Sequence, residues 1–190
     1  MINAKLDHCK TLEEFYISIR DQQEEAHGID YCEQHDALMK YASDCKTYAE
    51  LGTHQGGTLA CALLAGFKYV EAIDVDMSRY RKFLQPLAEE YVKENKIVFK
   101  IKEMDSGSLE SIGPSVDMLL IDSYHKAYHM QRELSVHSKR VNKYIIAHDT
   151  RLPNTELDQC LTDFCFNNPG WKVIERGEAN VGYMVLKKDV

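Results

Sequence analysis

Ala49-Glu50-Leu51-Gly52-Thr53-His54-Gln55-Gly56-Gly57-Thr58 constrains this chain more than any other stretch. Lys46-Thr47-Tyr48-Ala49 upstream reads as the end of a buried strand. Leu59-Ala60-Cys61-Ala62-Leu63-Leu64-Ala65 downstream is apolar and rich in helix formers. A strand, a glycine turn and a helix N-terminus therefore follow one another. The junction aims free backbone N–H groups and the positive end of a helix dipole at whatever binds there. Gly52 permits a tight turn with positive φ, and Gly56 and Gly57 remove Cβ atoms where a ligand must approach the backbone.

The rest of the chain repeats the strand–helix alternation. Expected strands are Thr47–Leu51, Tyr69–Ile73, Ile97–Ile101, Met118–Ile121 and Tyr144–Ala147. The intervening helices are expected at about Gln55–Leu64, Ser78–Glu94, Lys126–Lys139 and Thr155–Phe166, the last stopped by Asn168-Pro169-Gly170. Trp171–Glu175 and Val181–Lys187 read as a closing pair of strands. Strands joined by helices imply an α/β, Rossmann-like, doubly wound sheet. It is mostly parallel, has helices on both faces and carries an antiparallel C-terminal edge. Residues 1–45 form a helical extension of the same domain, and residues 46–190 form the core. The extension holds a helix from Thr11 to Glu25, with Leu12, Phe15 and Ile19 on one face and Thr11 as N-cap. A second runs from Glu33 to Ser43, with Leu38, Met39 and Tyr41 available for packing. The two serve as a lid or as a packing layer.

Composition sets limits. At 190 residues the chain fits one domain with a full core. The formal charge is −7, with no basic cluster on one face, which argues against a nucleic-acid partner. No apolar run approaches membrane-spanning length, and the N-terminus lacks a signal-peptide core; the expectation is a cytoplasmic protein with no membrane partner. Six scattered cysteines without a C-x-x-C pair read as reduced thiols. Self-association is left open, so a homo-oligomer remains compatible with the sequence.

The C-terminal ends of the strands carry Glu50, Asp74, Asp105, Asp122 and Asp149. Ligands of open α/β sheets bind at that edge. Asp74 stands about twenty residues past the turn, where a carboxylate accepts both hydroxyls of a ribose. The glycine order is G-x-x-x-G-G, not the G-x-G-x-x-G of dinucleotide sites. Glu50 near the loop repels a pyrophosphate and suits a cationic ammonium or sulfonium. The balance favours S-adenosylmethionine (SAM) over NAD.

Glu50 to Thr58 resembles the first motif of class I SAM-dependent methyltransferases. Ile73-Asp74-Val75-Asp76 is similar to the second, and Asp105-Ser106 to the acidic turn that meets adenine. Ile121-Asp122-Ser123-Tyr124-His125 and Ala147-His148-Asp149-Thr150 resemble the cephalosporin-hydroxylase-like and macrocin-type sugar O-methyltransferase branch. The likeness runs from Lys46 to Lys187. It implies that Glu50 sits near the methionine ammonium, and that Gly52, Thr53, Gln55, Gly56, Gly57 and Thr58 shape the turn beneath the methionine part. Asp74 would hold the ribose; Asp105, Ser106 and Asp122 would border the nucleoside. Asp76 is expected to cap the next helix.

Methyl transfer to oxygen needs a hydroxyl held in line and partly deprotonated, which a divalent cation assists. The resemblance implies metal ligands Asp122, His148 and Asp149. His125 is the natural general base, with His129 four residues on, on the same helical face, and Asp122 beside it. His148 stands where several metal-dependent relatives carry a carboxylate. Magnesium prefers oxygen and imidazole suits softer ions. Either the metal differs, or His148 is a second base, or no metal binds. The expectation is a SAM-dependent O-methyltransferase whose acceptor is a small-molecule hydroxyl, on a sugar or natural product. The alternatives are an NAD-dependent oxidoreductase and a non-catalytic SAM-binding protein.

Overall fold

The computed structural model describes residues 4–108, 112, 113 and 115–189, so Met1-Ile2-Asn3 of the N-terminal stretch lie outside it. Two helices come first, α1 (Leu12–His27) and α2 (Glu33–Ala42). Then follow β1 (Thr47–Leu51), α3 (Gly57–Leu64), β2 (Tyr69–Asp74), α4 (Ser78–Phe83), α5 (Gln85–Glu94) and β3 (Val98–Glu103). The second half is β4 (Val116–Ile121), α6 (Ala127–His137), β5 (Val141–His148), α7 (Leu157–Asn167), β6 (Trp171–Gly177) and β7 (Tyr183–Lys188). The seven strands form one sheet in the order β3-β2-β1-β4-β5-β7-β6. The pairs from β3 to β5 are parallel, and β7 is antiparallel to both β5 and β6. This is the Rossmann-like sheet with an antiparallel edge that the alternation predicted.

Period-two alternation sorts the core. Tyr48, Val70, Met118, Leu120, Ile146 and Val185 face one side, where α1, α2 and α3 cover them. Ala49, Leu51, Leu119, Ile121, Ile145 and Leu186 face the other, against α6 and α7. Both faces of the central strands are buried, so those strands read as continuous apolar runs. Phe15 and Ile19 of α1 are fully buried in the first of these clusters. Burial of each contributes roughly 1.5–3 kcal/mol, which ties the N-terminal helices to the core.

Local departures from the expected elements have plain causes. The helix expected over Ser78–Glu94 is two helices meeting at Leu84. Pro86 lies in the first turn of α5, and its missing N–H breaks the ladder running out of α4. The helix after the glycines starts at Gly57, because Gly56 is left-handed, with φ 93°. On α2, Leu38 is buried, but Met39 is exposed, being one helical step round from the core stripe. Asp76 does cap the following helix: its Oδ1 accepts from Ser78 N–H at 2.8 Å. Thr11 caps α1, accepting from Glu14 N–H at 3.1 Å. All six thiols are free.

Candidate functional site

The site forms where the strand order turns about β1 and β4. Successive connections leave in opposite directions there, and a crevice opens beyond the strand ends. A cavity of about 400 Å³ occupies it, lined by Gly52, His54, Asp74, Val75, Asp105, Ser106, Asp122, Ser123, Tyr124 and His129. A narrow cleft adjoins it, between Gly52–Gln55, Gly57, Thr58, Asp122 and His148 on one side and Tyr31, Gln34 and His35 of the N-terminal part on the other.

The floor is the glycine turn. Gly52 has φ 91°, and its N–H donates to Ile73 O at 2.8 Å. Asp74 then clamps the turn: its Oδ2 accepts from Thr53 N–H at 2.7 Å and from His54 N–H at 2.8 Å. A third backbone donor, Asp76 N–H, reaches Asp74 Oδ1 at 3.0 Å. An ionised carboxylate has about four lone-pair directions, so Asp74 keeps acceptor capacity toward the cavity. Gly57 packs beneath α1 and α2, where an added Cβ would come 3.5 Å from Ile19 Cδ1 and 3.7 Å from His35 Cε1. The Gln55 side chain, on the wall of the narrow cleft, also reaches the N-terminal segment. Its Oε1 accepts from Ala4 N–H at 3.0 Å and its Nε2 donates to Ala4 O at 3.2 Å, pinning the N-terminal segment.

Glu50 is fully buried under the turn. Tyr48 Oη donates to its Oε2 at 3.0 Å, and its Oε1 has no hydrogen-bond partner among the described residues. Burial pushes its carboxyl up to about 8, against the lowering influence of the nearby Thr53, Tyr48 and Thr58 hydroxyls. An acid whose folded pKa is raised costs stability as pH climbs from its unfolded value toward the folded one. Thermal melts of Glu50→Gln and the parent chain should therefore lie close together at pH 5. By pH 9 the variant should melt higher, and a gap that does not widen with pH would contradict the assignment.

The nucleoside end has a hidden support. Ser106 Oγ and Ser123 Oγ donate to one oxygen of buried Glu133, at 2.5 Å and 2.6 Å. His129 Nε2 lies 3.2 Å from that oxygen and 3.3 Å from Ser106 Oγ. Glu133 on α6 thus ties the loop after β3 to the loop after β4. Tyr124 stands edge-on to His129, with ring centroids 5.7 Å apart. Asp105 accepts from Gly107 N–H at 2.8 Å, closing the acidic turn.

At the other end, the β4–β5 register sets Ile121 opposite Ala147, so Asp122 and His148 emerge abreast. Asp149 follows with φ 58°, a left-handed conformation that aspartate tolerates better than most residues. Asp122, His148 and Asp149 can each offer one donor atom, all within 4.8 Å of one another. His125 Nε2 lies 2.8 Å from Asp149 Oδ2 and 3.3 Å from Asp122 Oδ1. These two carboxylates, Asp122 foremost, push the His125 imidazole up to about 10. Burial alone would raise Asp122's carboxyl, but His148 and His125 outweigh it and hold the group well below the usual carboxylate range. One expectation fails here. His125 precedes α6, which begins at Ala127, so it shares no helix face with His129, and the two imidazoles serve opposite ends of the crevice.

Tyr31, Val75, Ser123, Tyr124 and Glu133 were missed from the sequence. Val75 and Tyr124 had a signal, since each sits one or two residues past a strand-end aspartate. Tyr31 and Glu133 had none, because their partners lie far away in the chain.

The strand order is that of a Rossmann-like α/β sheet of the kind found in solved methyltransferases. A scan against protein-family models and a search of curated proteins return no match. Solved structures do match in fold. A Staphylococcus aureus protein provisionally named a caffeoyl-CoA O-methyltransferase has a TM-score of 0.68 at 14% identity, covering 95% of this chain and 93% of its own. The O-methyltransferase TomG of Streptomyces achromogenes, solved with SAM, has a TM-score of 0.59 at 10% identity, covering 100% of this chain and 93% of its own. A ribosomal protein L11 methylase from Lactobacillus delbrueckii subsp. bulgaricus has a TM-score of 0.60 at 16% identity, covering 85% of this chain and 80% of its own. Among the described residues, no helix is long and apolar enough to cross a membrane.

Proposed function

We propose that this chain is a SAM-dependent O-methyltransferase whose acceptor is a hydroxyl of a small molecule, a sugar or natural product among the candidates. One observation carries the reading: the crevice has Asp74 on one wall and Asp122 on another, and Asp122 also belongs to the cluster with His125, His148 and Asp149. In this reading Asp74 takes the ribose hydroxyls, and Asp105, Ser106, Ser123, Tyr124 and His129 surround the base. The glycine turn and Thr58 cradle the methionine part. Glu50 acts beneath the turn, where burial favours its neutral form until a cationic ammonium nearby draws out its charge. The N-terminal helices roof the cleft and seal it from water.

The donor set of Asp122, His148 and Asp149 fits a divalent cation: two carboxylates and one imidazole, whose buried Nδ1 has no well-formed hydrogen bond. Such an ion, when bound, orients acceptor oxygens and lowers a hydroxyl pKa. The chain's own residues supply the rest. Asp122 and Asp149 concentrate negative charge beside the expected methyl position. That same field raises the pKa of the His125 imidazole, and His125, held between the two carboxylates, is the group placed to exchange a proton with the acceptor hydroxyl in this reading.

Calorimetry tests the reading without knowledge of the acceptor. S-adenosylhomocysteine should bind with a dissociation constant on the order of 1–100 μM, roughly −8 to −5 kcal/mol. NAD should not bind. Saturation by NAD with no uptake of the adenosyl compound would move the chain to the oxidoreductases. Binding with no transfer across a broad panel of acceptors would favour the non-catalytic alternative.

A further inference from the structure

Resting on the reading of the Asp122–His148–Asp149 cluster as a cation centre, we infer that it takes a first-row transition ion such as Mn²⁺ through the His148 ring nitrogen, rather than an all-oxygen magnesium ion. His148 is 4% exposed and closes β5, a central strand, so its ring cannot swing out of the way. Nδ1 points into the cluster, 3.3 Å from Asp122 Oδ2 and 3.8 Å from Asp149 Oδ1. It stands at ion-pair distance from both without a well-formed hydrogen bond to either. A cation filling the space between the ring nitrogen and the carboxylates would give all three a partner. The Tyr31 ring meets the His148 ring edge-on at 5.9 Å and packs it in this orientation.

Donor chemistry then selects the ion. Magnesium demands near-octahedral oxygen ligands and sheds water reluctantly. Two carboxylates alone would suit magnesium, which keeps the rest of its shell as water, but a fixed imidazole nitrogen in the same cluster would not. Zinc, iron and nickel suit an imidazole nitrogen beside carboxylates, and manganese, though it prefers oxygen, takes one more readily than magnesium does. Three protein donors also leave further positions for water or substrate oxygens, as catalytic sites require.

Affinity alone does not decide the matter, because most nitrogen- and oxygen-donor sites hold transition ions more tightly than magnesium. The test is therefore spectroscopic first. Mn²⁺ is added at one equivalent to the full chain, and pulsed electron paramagnetic resonance looks for ¹⁴N modulation from a directly bound imidazole. The expected result is a single-nitrogen signature, with Mn²⁺ bound at least ~100-fold more tightly than Mg²⁺ by calorimetry. In His148→Asp the nitrogen signal should vanish and the Mn²⁺/Mg²⁺ preference should fall by at least tenfold. Manganese bound without nitrogen modulation would overturn the inference, and so would a signature that persists in His148→Asp. Failure of the parent chain to bind any divalent ion would also overturn it. That last outcome is separable from failure of the methyltransferase reading, since S-adenosylhomocysteine binding is measured on the same metal-free sample. The parent-chain spectrum stands even if the variant does not fold.

Discussion

Gly52→Ala should be the most damaging single methyl addition on the glycine turn. A Cβ built on Gly52 would lie 2.0 Å from Asp122 O, 2.5 Å from Asp122 C and 2.8 Å from Ser123 Cα. All three are backbone atoms of the next strand's end, and they cannot rotate away. The residue also has φ 91°, which an L side chain adopts only with strain. Overpacking and the left-handed backbone together cost roughly 3–5 kcal/mol. For a chain of this size that corresponds to a fall in Tm of about 10 °C. Gly66→Ala is the control. Gly66 has φ 87° with nothing within 4 Å of its added Cβ, so only the backbone cost applies, about 1–2 kcal/mol. If the two variants melt together, the close approach of β1 and β4 is not as described. Any Gly52→Ala protein that folds should also bind S-adenosylhomocysteine poorly, because relief of the clash displaces Asp122 and Ser123.

Asp74→Ala should weaken S-adenosylhomocysteine binding by on the order of 10²-fold or more. Two effects add. The ribose loses charge-assisted hydrogen bonds, each contributing roughly 1.5–3 kcal/mol. The turn loses its clamp on the N–H groups of Thr53 and His54. A 2′-deoxy analogue separates the two. The parent chain should discriminate against the analogue, whereas Asp74→Ala should bind both ligands equally weakly, the signature of coupled partners in a double-mutant cycle. Undiminished affinity in Asp74→Ala would remove the ribose assignment and leave Asp74 as a turn clamp only.

Much of this was legible before any coordinates. Each of the first five strands ends at or beside an acid, and the longer helices carry an apolar stripe at the proper spacing. The α/β alternation, the antiparallel close and the polar rim could therefore be read residue by residue. Local chemistry also announced the caps at Thr11 and Asp76. The misreadings share a cause. The break at Pro86 lies under an apolar stripe that runs on from Leu84 to Tyr91, and the spacing of His125 and His129 suggests a shared helix face that the loop before α6 does not provide. Gln55 lies on the cleft, and its amide holds Ala4, some fifty residues earlier in the chain, a partner that no local pattern reveals.

What the linear order of residues determined is the sheet, because alternation and glycine chemistry are local and need no partner to be recognised. What only the folded chain decided is company. Asp122 meets His148 because β4 and β5 pair in a register that brings their ends level. Glu133 meets Ser106 and Ser123 because α6 packs back across two loops. Tyr31 meets His148 because α1 and α2 close over the turn. Such meetings depend on which distant surfaces bury one another, a property of the whole core that no window of sequence contains.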